Sequence, residues 1–147
     1  MRLIINNKAV TLMELIVVVV LIGLIAAFTI PDYKKSLQRS DEKEAINNLA
    51  MVWEAMKIYR VKTGDFVTQD LAGVADINQL LKINIIESNM DYSCTYNGGA
   101  SLLVCDADSP DGWGLRFHTS SGVFSGVARG VIFCYGGSCP TCQATGC

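Results

Sequence analysis

The sequence contains a single histidine and no excess of positive charge, since 12 Lys and Arg residues stand against 14 Asp and Glu residues. Proteins that bind nucleic acid carry surfaces rich in Lys and Arg, so this balance argues against direct nucleic-acid binding. A phosphate-binding glycine loop and a metalloprotease helix motif are also missing. No pattern around the one histidine, His118, points to a nucleophile or a metal partner, and we expect it at the surface or the edge of a sheet. These absences predict a protein that is not an enzyme and needs no cofactor.

Charge is also missing between Leu15 and Ile30, where Thr29 is the only polar side chain. As a helix rising about 1.5 Å per residue, residues 10–30 span about 31 Å, which matches the hydrocarbon core of a bilayer. Positive charge precedes this segment, which places the N-terminus in the cytoplasm and the rest of the chain outside it. The segment therefore predicts a membrane-spanning helix. A removable secretory signal is the weaker alternative, because residues 26–28 (Ala-Ala-Phe) only partly resemble a cleavage site.

One carboxylate, Glu14, lies near the start of this apolar segment. A charged side chain at the centre of a spanning helix costs about 2.5–3.5 kcal/mol on insertion scales, so its position requires a compensating interaction. The carboxylate can extend toward the cytoplasmic headgroups, or it can pair with a cation inside the membrane. The composition of the segment leaves both interpretations open.

The residues around Glu14 resemble a known family. AVTLMELIVVVVLIGLIAAFTIPDY, which begins at Ala9, is similar to the N-terminus of bacterial type IV pilins and of type II secretion pseudopilins. Members have a short basic leader that ends in glycine or alanine, then an aromatic residue or Met, then Thr-Leu-x-Glu and a long apolar stretch. Thr11, Leu12 and Glu14 match this pattern, and Pro31 falls where many members have a proline that interrupts the helix.

The resemblance implies a division of the chain into three parts. Residues 1–9 are then a leader peptide, residues 10–30 a transmembrane and assembly helix, and residues 31–147 a globular headgroup with a disulfide-stabilised C-terminal region. A prepilin peptidase would cut between Ala9 and Val10, and the new amino group of Val10 would be methylated. The sequence departs from the family at these two positions, because glycine is usual at the first and phenylalanine or methionine at the second.

The resemblance also implies a partner for Glu14. Cleavage creates an α-amino group on Val10, which is cationic if its pKa stays near 7.7–8.0. Within the membrane the carboxylate of one subunit can pair with the ammonium of its neighbour, which favours one axial register. The implied product is a homo-oligomeric helical filament, built from an inner-membrane precursor into an extracellular pilus. The alternative within the family is a pseudopilin, which forms a periplasmic pseudopilus.

After Pro31 the pattern predicts a second, amphipathic half of the helix. Its apolar side chains recur in one stripe: Ala45, Leu49, Val52, Trp53, Met56 and Tyr59. We interpret the aromatic members of this stripe as core residues and not as a binding site. Gly64 predicts the end of the helix. A bend or a melted turn is expected at Pro31, since proline removes one backbone donor.

The remaining sequence predicts an antiparallel sheet of four or five strands, preceded by a short helix at residues 76–82. The expected strands are residues 92–96, 100–105, 115–119, 123–127 and 131–135. With the helix packed on this sheet, the predicted fold class is α+β, the type IV pilin fold that the resemblance also implies. The segment from Asp108 to Gly114 resembles a turn of the major type II pseudopilin, with an insertion.

Three aspartates near this turn, Asp106, Asp108 and Asp111, resemble the start of a calcium loop. The downstream glutamate that such a loop requires is missing, so we interpret the cluster as a turn without a metal. Some pseudopilins bind calcium in a loop near this part of the fold.

All six cysteines lie between Cys94 and Cys147, which predicts structural disulfides in an oxidising compartment. If the first hairpin turns at Gly99 and Ala100, Cys94 faces Cys105, close enough for a disulfide. If it turns at Asn97 and Gly98, that bond requires a longer loop or a bulge. We favour the Cys94–Cys105 pairing.

The other four cysteines allow three connectivities. We expect the nested one, with Cys134 bonded to Cys147 and Cys139 bonded to Cys142, so that the tail is closed onto the last strand. Many type IV pilins similarly close a C-terminal loop by a disulfide. The alternatives are a membrane-anchored thiol oxidoreductase that uses the CxxC pair, or a zinc site of four thiolates.

Overall fold

The computed structural model describes residues 10–87, 89–98, 102–120, 127–137 and 139–140, and it gives the backbone alone for residues 28–31. The chain divides between Ser36 and Leu37 into two compact units. The first described unit is helical beyond Thr11, whereas the second combines helix and sheet. The fold is therefore the predicted α+β class: a long N-terminal helix followed by an antiparallel sheet.

Helix α1 extends over 52 residues, from Leu12 to Thr63. Its first half lies in the first unit and carries no charged side chain from Leu15 to Ile30, a composition that favours a helix in a nonpolar environment. The helical backbone continues through Pro31. The melted turn, one of the two outcomes expected there, is therefore not formed. Gly64 ends the helix as predicted: its φ of 94° lies in the left-handed region, and its N–H donates to the carbonyl of Arg60 at 2.8 Å.

The second half of α1 contributes the predicted apolar stripe to the core of the second unit. Ala45, Leu49, Val52 and Met56 are buried, and the two aromatic residues of the stripe pack against the same cluster while half-buried. The short helix α2, Val74–Leu81, adds Ile77 to this core. The helical period of the sequence therefore identified the buried face correctly.

Among the described residues the sheet has four antiparallel strands in the order β1-β2-β3-β4: Asp91–Asn97, Leu102–Asp108, Gly114–His118 and Phe133–Tyr135. The predicted strand at residues 123–127 falls almost entirely outside the described residues. Asn48 of α1 donates to the hydroxyl of Tyr92 on β1 at 2.9 Å, which connects the helix to the sheet. Burial raises the pKa of the Tyr92 phenol, and the hydrogen bond from Asn48 opposes this shift.

A polar network crosses the later strands of the sheet. Arg116 on β3 makes a bidentate ion pair with Asp106 on β2, with nitrogen–oxygen distances of 2.6 and 2.8 Å. This hydrogen bonding raises the pKa of the Arg116 guanidinium. The guanidinium lies over the ring of Tyr135 at 4.0 Å, and the Tyr135 hydroxyl donates to Asp108. Burial, followed by the hydrogen bond to Asp108, raises the pKa of Tyr135. The network joins β2, β3 and β4 through side chains as well as backbone.

The described residues before β4 pack tightly on helix α1 at Trp53. The ring of Trp53 lies 5.7 Å from those of Phe66 and Phe117, stacked on the first and edge-on to the second. Gly130, with φ at 72°, approaches so closely that an added Cβ would lie 2.3 Å from the indole. The Gly130 N–H also donates to the carbonyl of His118 at 2.9 Å. Trp53 is therefore a packing residue, as the sequence predicted.

Replacing Gly130 by alanine is expected to lower the free energy of unfolding by about 1–3 kcal/mol, because the methyl group must displace Trp53 and the backbone must keep a positive φ. Urea unfolding of the full chain in neutral detergent, followed by tryptophan fluorescence, measures the change. Gly73→Ala is the matched control, since an added Cβ there meets nothing within 4 Å and φ is extended at −176°. Equal losses in the two variants would contradict the packing interpretation.

Candidate functional site

The first unit leaves a large apolar surface uncovered. Each large apolar side chain from Val10 to Ile25 exposes at least 45% of its surface: Val10, Leu12, Met13, Leu15, Ile16, Val17, Val18, Val19, Val20, Leu21, Ile22, Leu24 and Ile25. Soluble monomers seldom expose contiguous apolar patches above a few hundred Å². This surface therefore requires a membrane, a partner or both.

Helix α1 is the one helix in the described part of the chain whose length and composition suffice to cross a bilayer. Its apolar stretch has no side chain buried within the fold. A helix that is apolar on all faces and unburied is typical of a membrane-spanning segment.

Thr11 caps the start of this helix beside Glu14. The Glu14 N–H donates to the Thr11 hydroxyl at 3.2 Å and to the Thr11 carbonyl at 3.1 Å. The spacing of these two residues is that of a capping box, in which a Thr side chain satisfies a free N–H of the first turn. The Thr-Leu-x-Glu pattern thus has a local structural role: it fixes where the helix begins and places the carboxylate in its first turn.

The carboxylate of Glu14 is exposed, and the structure shows no ion pair for it among the described residues. A negative charge in the first turn interacts favourably with the positive end of the helix dipole. Val10 is also exposed and lies two residues before the helix, so it is accessible. Ala9 falls outside the described residues, and for Pro31 the backbone alone is described.

The three aspartates near the predicted turn point to different partners and do not converge. Asp106 pairs with Arg116, Asp108 accepts from Tyr135, and Asp111 accepts from Gln38 at 2.8 Å. No group of three or more His, Cys, Asp or Glu side chains in the described ranges is arranged to hold a metal ion. The cluster therefore organises strands and a turn in this structure.

Two disulfides join cysteines within the described residues. Cys94 on β1 is bonded to Cys105 on β2. These two residues face each other in the strand register, as predicted for a hairpin that turns at Gly99 and Ala100. Both are buried, at 2% and 0% exposure, in the core shared with helix α1. This disulfide therefore joins the two strands inside the core.

The second disulfide shows that the nested arrangement that we predicted was wrong. Cys134 is bonded to Cys139, five residues away, and not to Cys147. It closes the short segment Gly136-Gly137, where Gly136 takes a φ of 82°. Because Cys139 is bonded in this way, the predicted CxxC bond is not formed. Cys142 and Cys147 lie outside the described residues.

The expected position of His118 was wrong. The imidazole is fully buried at the end of β3, and its Nε2 lies 2.9 Å from the carbonyl oxygen of Val127. Val127 and Gly130 lie against this end of the strand, which the strand pattern alone did not indicate. His118 is therefore a buried structural residue.

One cluster of charges was not predicted from the sequence. Arg129, in the loop after β3, and Arg60, in the last turn of α1, both lie against Phe66. The only signal in the sequence was an Ala-Arg-Gly break between predicted strands, and nothing in it indicated that this arginine returns to the helix.

Two curated relatives are similar to parts of this chain. The type IV major pilin protein PilA of Myxococcus xanthus is 42% identical over 54 residues, which cover 37% of this chain and 24% of that protein. The type II secretion system core protein G of Vibrio cholerae is 28% identical over 60 residues, or 41% of each chain. The resemblance to the pilin and pseudopilin family is confirmed. Each match spans less than half of the relative's length.

No family model matches the chain, and no solved structure matches it. The pilin-like features are thus the matched segments, the long apolar helix and the α+β architecture. The two relatives represent the two branches that the sequence left open, one a pilin and one a secretion-system protein.

The disulfide pattern of this pilin-like chain can be checked by peptide mapping without reduction. We expect one cross-linked peptide joining Cys94 to Cys105 and another joining Cys134 to Cys139, because these pairs are bonded in the folded chain. Each closed loop should add about 2–4 kcal/mol to the free energy of unfolding. A reduced and alkylated sample is the control. A peptide joining Cys134 to Cys147 would contradict the connectivity described here.

Proposed function

We propose that this chain is the precursor of a structural subunit that assembles through its N-terminal helix into a type IV pilus filament. The observation that carries this proposal is an apolar helical surface, exposed on every side, that bears a single exposed carboxylate in its first turn. A simple membrane anchor does not require that carboxylate, whose insertion is costly. A helix that must pair with a neighbouring helix in one register does require such a carboxylate.

The proposed cycle begins in the inner membrane. Prepilin peptidase removes residues 1–9 by cutting between Ala9 and Val10, and the new amino group of Val10 is methylated. The helix of residues 10–30, which includes Thr11 and Leu12, then packs against the same helix in neighbouring subunits. Glu14 pairs there with the ammonium of a neighbour's first residue. The headgroup, residues 31–147, stays outside the membrane.

A second candidate is a pseudopilin of a type II secretion system. It is supported by the similarity to the core protein G and by the turn before β3. In this turn the N–H of Ser109 donates to the carbonyl of Trp113 at 2.9 Å, and the N–H of Gly112 donates to the carbonyl of Ser109 at 3.1 Å. Electron microscopy separates the candidates, since a pilus extends from the cell surface whereas a pseudopilus stays in the periplasm.

Processing is tested by intact-mass measurement of subunits purified from assembled filaments. We expect the mass of residues 10–147 with one added methyl group, because cleavage must precede the exposure of the Val10 amine. Protein expressed in a host without prepilin peptidase is the control and should keep residues 1–9. Filament subunits that retain the leader would refute the proposed processing.

Assembly is tested with Glu14→Ala and Glu14→Gln. Both variants should insert and be cleaved but enter filaments poorly, because a neighbouring ammonium loses its partner in a medium of low dielectric constant. Removing one member of a buried ion pair costs about 3–5 kcal/mol, which corresponds to a loss of more than a hundredfold in binding. Glu14→Asp should be intermediate.

The readout is the amount of subunit in sheared filaments relative to the amount in membranes. Asp32→Ala is the matched control, since this exposed carboxylate lies after the apolar segment and should leave the yield unchanged. Normal filament yield with Glu14→Ala would rule out the pairing account.

A further inference from the structure

A pocket of about 360 Å³ lies beside the C-terminal end of helix α1 in the second unit. Its volume is within the range of about 300–1,000 Å³ that is usual for small-molecule sites. The walls combine cationic and apolar side chains: Trp53, Lys57, Arg60, Val61, Phe66 and Arg129. The pocket is distant in sequence from the apolar segment to which the proposed function assigns assembly.

Two guanidinium groups line this pocket and lie near the same aromatic ring. The Cζ atoms of Arg60 and Arg129 lie 4.9 and 5.9 Å from the centroid of the Phe66 ring. Both distances are within the range of about 6 Å for attraction between a cation and an aromatic face. Phe66 is held in turn by stacking on Trp53, at 5.7 Å and 19° between the planes. The aromatic pair therefore supports the two cations.

Neither arginine forms an ion pair with a carboxylate among the described residues. All 14 Asp and Glu residues of the sequence lie in the described part of the chain, and the ion pairs found there join Lys57 to Glu54 and Arg116 to Asp106. The Nε of Arg129 donates to the carbonyl of Ser120 at 2.8 Å, which fixes the side chain without cancelling its charge. The two guanidinium groups thus keep donors available for an external anion.

The helix dipole explains only half of this arrangement. Arg60 lies in the last turn of α1, where a cation is favourable at the negative helix end. Arg129 belongs to a loop far along the chain and reaches the same ring because Gly130 fits closely against Trp53. The convergence of two guanidinium groups is therefore a product of tertiary structure.

We infer that this pocket binds an oxyanion, a carboxylate or a phosphate, carried on an apolar body. Arg60 and Arg129 donate to the oxyanion, since guanidinium groups match the geometry of both anions. Val61, which exposes 87% of its surface, and the edge of Trp53 contact the apolar part. Single-stranded nucleic acid fits this site less well, because the Phe66 ring on which a base would stack already contacts Trp53 and the two guanidinium groups.

The test uses the full chain in neutral detergent micelles, titrated with phenyl phosphate and with benzoate by isothermal calorimetry. We expect saturable binding of one molecule per chain for at least one probe. Arg60→Gln and Arg129→Gln should each weaken this binding about tenfold, since each removes a charge-assisted hydrogen bond. Lys62→Gln is the matched control, because Lys62 is an exposed cation of the same helical turn that does not line the pocket.

Retention of the near-ultraviolet circular dichroism spectrum shows that a variant has folded. Arg60→Lys should restore only part of the affinity, since it keeps the charge and loses the planar pair of donors. Absence of saturable binding with both probes would overturn the inference. Equal weakening by Lys62→Gln, or equal affinity for inorganic phosphate and phenyl phosphate, would also overturn it.

Discussion

An apolar helical surface that the chain does not bury by itself sets the main constraint on this protein. From Val10 to Ile25 the large side chains face outward on every side, so this part of the helix is stable only in lipid or against other helices. A lipid environment also explains why a helix and no other element occupies this segment, since every backbone group must be hydrogen-bonded internally. Glu14 is the charged exception within this surface, and under the proposed function it gives an otherwise apolar helix a defined position for a partner.

The second unit is stabilised by different interactions. There the same helix is amphipathic, and its buried stripe packs in one core with residues of the sheet. The Cys94–Cys105 disulfide lies within that core and links β1 to β2. The Arg116 network links the later strands through side chains that lie outside the core. A single helix therefore serves two environments, and its sequence changes from uniformly apolar to amphipathic between them.

The family features and the anion pocket depend on different levels of structure. Thr11 and Glu14 are three residues apart, so helix geometry alone brings the hydroxyl and the Glu14 N–H together. Arg60 and Arg129 meet only because a loop packs on Trp53, with glycine at the point of closest approach. The Thr11–Glu14 cap could therefore be recognised in the sequence as a motif. The pocket of Arg60 and Arg129 has no local sequence pattern by which it could be recognised.

The sequence by itself determined the features that repeat with a local period or match a motif: the apolar helix, its buried stripe, its end at Gly64, the α+β class and the facing pair Cys94 and Cys105. Tertiary structure decided the features that join distant segments. It buried His118 beside Val127, bonded Cys134 to Cys139, and brought Arg129 to the ring of Phe66. The physical reason is that periodicity reports which face of an element is apolar, whereas loop paths depend on close packing between side chains far apart in sequence.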